Sequence, residues 1–168
     1  MIPFKEFISE EKHVGLRYHF TYLYSACEIV ADNKIGRTYA FDKSLEKKVS
    51  ITRDQFFHRH NRVCIGTQVR FTLDGTKLSR RYKIRPYNDF KKEYHSMLSC
   101  YESEEVIDRN IRNLNEYLIR IDVVKSLCGD MEYPTYVRIN GNDIDINKFE
   151  DFIILLKKLS NVPVGIIS

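Results

Sequence analysis

Three short stretches of this sequence carry side chains whose types and spacing could act on a ligand. The first is YHFT (18–21), where His19 and Thr21 lie two residues apart. On a strand, that spacing puts both on one face. An imidazole there can donate to, or accept from, a ribose hydroxyl or an amide. The same residues also suit a half-buried histidine satisfied by backbone and a threonine capping a helix. The second is VSITRD (49–54), in which Ser50 and Thr52 share a face and Arg53 stands at the end. A strand-end arginine suits phosphate, because its planar fork makes two charge-assisted hydrogen bonds. It also suits an ordinary surface pair with Asp54. The third is YESEEVIDRN (101–110), where Glu102, Glu104 and Glu105 precede Val106-Ile107. A carboxylate at a strand's start can face a cleft and stabilise positive charge developing at a sugar carbon, as glycosidic cleavage requires. Otherwise the acids form a solvated loop.

Two weaker constellations remain. Lys77, Arg80, Arg81, Lys83 and Arg85 interleave with Tyr82 and Tyr87, which could track a nucleic-acid backbone or protect a strand edge from pairing. His58, His60 and His95 have no neighbouring Cys or carboxylate that completes a metal set, so no metal is assigned.

The elements that must hold these groups follow from periodicity. LRYHF reads as a buried strand, followed by a helix with Leu23, Ala26, Cys27 and Val30 on one face, ended by Asn33 and Gly36. Thr21 is placed as its N-cap. Residues 37–48 read as a loop, VSIT as a strand, and 53–62 as a loop or short helix. VRFTLD (69–74) alternates Val69, Phe71 and Leu73 and leads to a turn at Asp74-Gly75. YKIRPY (82–87) reads as a short strand, residues 88–98 as a helix, and EEVI and YLIRIDVV (117–124) as strands. In the tail, YVRINGNDIDIN is a hairpin turning at Asn140, Gly141 and Asn142. A helix follows, with Asn147 and Glu150 at capping-box spacing and Phe149, Phe152, Ile153, Leu156 and Leu159 inward. Strands outnumber helices without regular alternation, which predicts an α+β fold rather than a doubly wound sheet.

With 168 residues, 43% hydrophobic and 30% charged, the chain suits a single domain, 1–168, with an ordinary core. The net charge of +4 permits an anionic ligand without demanding one. No two of the four cysteines have CxxC spacing, the first residues lack an apolar signal core, and no run approaches a membrane span. The expectation is a cytoplasmic protein with free thiols and no membrane partner.

Taken in order, these stretches resemble a known family. YHFTYLYSACEIVADNKI is similar to the opening of ADP-ribosyltransferase-like proteins, VSITRD to their polar second strand, and SEEVI to their Glu-bearing strand. The composite looks most like small members carried by bacteriophages and bacteria. The resemblance spans about 16–124, as an ADP-ribosyltransferase-like core of split antiparallel β-sheets with flanking helices. The C-terminal hairpin and helix, 125–168, stand outside it as an appendage.

The resemblance implies an NAD-dependent mono-ADP-ribosyltransferase, with NAD as substrate, no metal, and a host protein or nucleic-acid acceptor. His19 and Thr21 would hold the nicotinamide ribose or carboxamide, and Ser50 and Thr52 of the polar strand would also bind the cofactor. Arg53 would contact phosphate or orient the nicotinamide half. Glu105 would be the catalytic glutamate, with Glu104 its rival, because adjacent strand residues face opposite sides. The alternatives are an RNA 2′-phosphotransferase-like enzyme, or a catalytically silent member acting as a phage structural or host-factor-binding protein. The chain departs from the family's patterns: no second His or middle Tyr matches one of them, and no Arg matches the first motif of the other, although Arg17 lies close by.

Overall fold

The structure, a computed structural model, describes residues 14–36, 49–53, 55, 67–86 and 104–168. In chain order these form β1 (Leu16–Thr21), α1 (Leu23–Asp32), β2 (Lys34–Ile35), β3 (Val49–Thr52), β4 (Val69–Asp74), α2 (Gly75–Arg81) and β5 (Arg85–Pro86). There follow β6 (Glu104–Ile107), β7 (Ile111–Arg112), β8 (Leu118–Val124), β9 (Thr135–Ile139), β10 (Asn142–Ile146), α3 (Phe149–Leu159) and β11 (Val164–Ile167). The fold is α+β. Seven strands make one mixed sheet in the order β11-β8-β4-β1-β3-β6-β5, while β9–β10 and β2–β7 pair separately. Only the β11–β8 pair of the large sheet is parallel; its other pairs are antiparallel.

Register divides the large sheet into two faces, since directly opposed residues point the same way. His19 opposes Phe71, Thr21 opposes Val69, Phe71 opposes Ile121 and Val69 opposes Val123. Further along, Ile51 opposes Glu105 and Val49 opposes Ile107. The apolar members of this face are essentially inaccessible to solvent, and they share one core with Leu23, Ala26 and Cys27 of α1 and Phe152, Ile153 and Leu156 of α3. Each buried Val, Leu, Ile or Phe side chain among these contributes on the order of 1.5–3 kcal/mol by leaving water. Tyr24 meets Phe152 edge to face at 5.1 Å, and its hydroxyl bonds Thr135 Oγ1 at 3.2 Å. The tail is therefore continuous with the core: α3 packs into it and β11 extends the sheet beyond β8.

Several local expectations hold. α1 ends with Asn33 in the left-handed region, at φ 51°. The hairpin turns on Asn140 (φ 51°) and Gly141 (φ 78°), the two positive-φ positions that its twist requires. Others are corrected. Thr21 does not cap α1: it is the last residue of β1, Tyr22 takes the N-cap position, and the Leu23 N–H is received by Gln68 Oε1 at 3.0 Å. A side chain just before the neighbouring strand thus does the capping. Asp74-Gly75 is not a turn but a helix start, where Asp74 Oδ1 accepts from the Lys77 N–H at 3.0 Å. The strand expected over 82–87 is confined to Arg85–Pro86 among the described residues. At α3 the capping acid is Asp151 rather than Glu150; its Oδ2 accepts from the N–H groups of Asn147 (2.8 Å) and Lys148 (3.2 Å). The loop expected over 37–48, residues 56–62, the helix over 88–98, Glu102 and the histidines His58, His60 and His95 lie outside the described residues.

Candidate functional site

Three adjacent strands, β1, β3 and β6, bring the candidate residues together. Tyr18 opposes Thr52 across β1–β3, and Ile51 opposes Glu105 across β3–β6. Arg17, His19 and Thr21 therefore share the face of Ile51 and Glu105. From that face Arg17 reaches across β3 to form a forked ion pair. Its Nε donates to Glu105 Oε2 at 2.5 Å and its Nη2 to Oε1 at 3.3 Å. Its Nη1 donates to the carbonyls of Val14 (2.7 Å) and Leu16 (3.0 Å). Four of the five guanidinium N–H bonds are thereby directed inward. The side chains of Arg17 and Glu105 keep only 10% and 13% of their exposure, so solvent screens the pair weakly.

The backbone is shaped to hold Arg17. Gly75, at the start of α2, lies so near that a Cβ there would sit 2.2 Å from the Gly15 carbonyl oxygen and 2.9 Å from Arg17 Cγ. Thr76 Oγ1 accepts from the N–H groups of Val14 (3.1 Å) and Gly15 (3.3 Å), tying the lead-in of β1 to α2.

His19 lies beside this pair, stacked on Phe71 with centroids 6.2 Å apart and ring planes 21° from parallel. Its Nδ1 is 2.8 Å from the Ser50 carbonyl oxygen. A carbonyl only accepts, so Nδ1 carries the proton. Burial pushes the pKa of His19 below its ordinary value, and the Ser50 carbonyl opposes that by favouring the charged ring. In the neutral ring Nε2 is then an acceptor, suited to a ligand hydroxyl or N–H.

The other candidates are placed differently. Thr21 is buried at the end of the same strand face. Arg53 is exposed just beyond β3, where the chain leaves the sheet level with Arg17. Ser50 and Thr52 share a face as alternation required, but it is the opposite one, with Tyr18 and Val106. Thr52 is buried there, and Ser50 contributes its backbone carbonyl, not its hydroxyl, to His19. Glu104 stands in register with Thr52 and Glu105 with Ile51, so it is Glu105 that meets Arg17.

Arg17 is the residue that sequence reasoning left out of the site. The signal was present: it stands two residues before His19, so alternation alone puts it on the face of His19 and Thr21.

The opposite face carries its own ion cluster. Asp122, 2% exposed, receives Arg70 Nη2 at 2.9 Å and Arg120 Nε at 2.7 Å, while the Arg70 guanidinium lies 5.7 Å from the Tyr18 ring centroid. Of the thiols, Cys27 is pushed up to about 12 by burial and by the charge of Glu28, and Cys128 to about 11 by burial. Both are poor nucleophiles near neutrality. No helix among the described residues is long and apolar enough to cross a membrane. Comparison of the chain with protein-family models, curated proteins and solved structures returns no match.

Proposed function

We propose that this chain is an NAD-dependent mono-ADP-ribosyltransferase, phage-encoded or bacterial, in which Glu105 is the catalytic carboxylate. The observation that supports this most directly is the Arg17–Glu105 fork on one sheet face with His19. In this reading β1, β3 and β6 are the NAD-binding part of an ADP-ribosyltransferase-like fold. As the bond from nicotinamide to ribose lengthens, positive charge develops on the sugar carbon and ring oxygen. Glu105 accepts a hydrogen bond from a ribose hydroxyl and stabilises that charge. Arg17 acts as a positioning residue: it fixes the carboxylate rotamer rather than gripping phosphate, since four of its five donors are already engaged within the protein. His19 Nε2 accepts from the nicotinamide-side ribose or carboxamide, Thr21 borders the same strand, and the exposed Arg53 meets the pyrophosphate.

A second reading has its own observation. Four of five Arg17 donors are satisfied within the protein, as in a pair that only stabilises a fold. The chain would then be a catalytically silent protein that binds a host factor or serves a phage structure.

Incubation with adenylate-labelled NAD and bacterial lysate separates the two. The transferase releases nicotinamide and labels an acceptor; Glu105→Gln lowers both about 100-fold or more, while Glu104→Gln retains activity. Absence of nicotinamide release from the wild type, or full activity in folded Glu105→Gln, sinks the enzymatic reading.

A further inference from the structure

The segment joining α2 to β5 is strongly basic, and its two ends are fixed at the candidate site. It starts at Gly75, packed against Arg17, and ends at Pro86, which opposes Glu105 in the sheet. Between them Lys77, Arg80, Arg81 and Lys83 are all exposed. Lys77, Arg80 and Arg81 stand at i, i+3 and i+4, which puts them on one side of α2. They line an open recess of about 630 Å³ with Asn115, Glu116 and Tyr117. Among its described lining residues Glu116 is the acid, and the nearby Asp108 is paired with Arg85. Beside the segment, exposed Arg109 donates from Nη2 to the Arg81 carbonyl at 2.6 Å, which holds its guanidinium over the Tyr82 ring at 4.7 Å from the centroid.

We propose that this surface binds single-stranded nucleic acid, with Lys77, Arg80, Arg81 and Lys83 along the phosphates and Arg109 stacking a base. Its role as the acceptor rests on the transferase reading; the binding does not. Phosphodiester is favoured because it supplies a row of fixed negative charges to a row of cations. Single strand is favoured over duplex because a guanidinium plane, backed on one side by Tyr82, offers its other side to an unpaired base.

The test is fluorescence anisotropy of a labelled 12-nucleotide strand with the full chain and no NAD, between 50 and 200 mM salt. Binding weakens with salt at a log–log slope of about −0.7 per phosphate neutralised. Arg80→Ala with Arg81→Ala reduces the slope by about 1.4 and weakens binding at least tenfold. Lys157→Ala with Lys158→Ala, which removes the same charge from exposed positions of α3, changes it less than twofold. Arg109→Lys keeps the charge and still weakens binding several-fold. Equal losses in the two double variants, equal competition by polyglutamate, or tighter binding of the matching duplex each overturn the proposal. Because this assay holds no NAD, it is read apart from the labelled-NAD incubation: strand binding here with no nicotinamide release there upholds the surface and refutes the transferase. Nicotinamide release without strand binding does the reverse.

Discussion

Removing either partner of the Arg17–Glu105 pair should destabilise the protein far more than a surface ion pair would suggest. An exposed pair contributes about 0–1 kcal/mol. Here both side chains have lost about nine-tenths of their exposure, so deleting one strands the charge of the other out of water. Breaking a buried pair costs about 3–5 kcal/mol, and the residual solvent contact places this one at the lower end. Glu105→Leu and Arg17→Met are each expected to cost about 3 kcal/mol. For a chain of this size that is a fall in Tm of roughly 6–12 °C. Glu105→Gln costs less, about 2 kcal/mol, because its amide oxygen still accepts from Arg17 Nε. The double variant Arg17→Met/Glu105→Leu should cost about 2 kcal/mol, since no charge is stranded and the remaining penalty is the loss of donors to the Val14 and Leu16 carbonyls, about 1 kcal/mol each. Urea unfolding of the four proteins then yields a coupling of about 4 kcal/mol. Single effects that add to within about 0.5 kcal/mol would refute the reasoning and return Glu105 to solvent. The same melts show whether a loss of activity in Glu105→Gln is chemistry or unfolding.

Two further outcomes follow from the same corner of the fold. Gly75→Ala drives a Cβ into the Gly15 carbonyl and Arg17; overpacking of about 1–3 kcal/mol outweighs the gain in helix propensity, and a Tm equal to or above wild type contradicts that packing. For His19, the folded pKa lies below the unfolded value, so its contribution to stability is complete above about pH 6.5. It is lost as pH falls from there through the folded pKa, because only the unfolded chain takes up the proton. The slope approaches about 1.4 kcal/mol per pH unit. His19→Asn removes that titration, so the stability difference between wild type and variant should shift between pH 7.5 and 5; a constant difference refutes the burial argument.

What the sequence revealed and concealed follows the range of each interaction. Alternation at Val69, Phe71 and Leu73, the helical spacing of Leu23, Ala26 and Cys27, and the Asn140-Gly141 turn are local, and each appears as expected. Asp74-Gly75 was ambiguous because an Asp that opens a turn and one that caps a helix use the same oxygen. Here that oxygen accepts from the Lys77 N–H, and Gly15, far off in sequence and just before β1, packs on Gly75. Thr21 lost the cap to Gln68, which pattern cannot place beside Leu23. Alternation showed that Ser50 and Thr52 share a face; only the Tyr18–Thr52 register shows which. The site was half legible for the same reason: His19 and Glu105 are visible as motifs, but Arg17 gains its meaning from a partner 88 residues away.

The strand order also bears on how the chain is assembled at the ribosome. β1 is central, and later strands join alternately outside it: β3 on one flank, β4 on the other, then β6 beyond β3, β8 beyond β4, and β11 beyond β8. Each newly emerged strand meets an edge already waiting, and none has to wedge between two that are paired. β5 is the exception, since it leaves the ribosome before β6, the strand it needs. Its two residues must wait until β6 has docked on β3. That same docking delivers Glu105 to Arg17, so the candidate site and the far edge of the sheet are completed in one event.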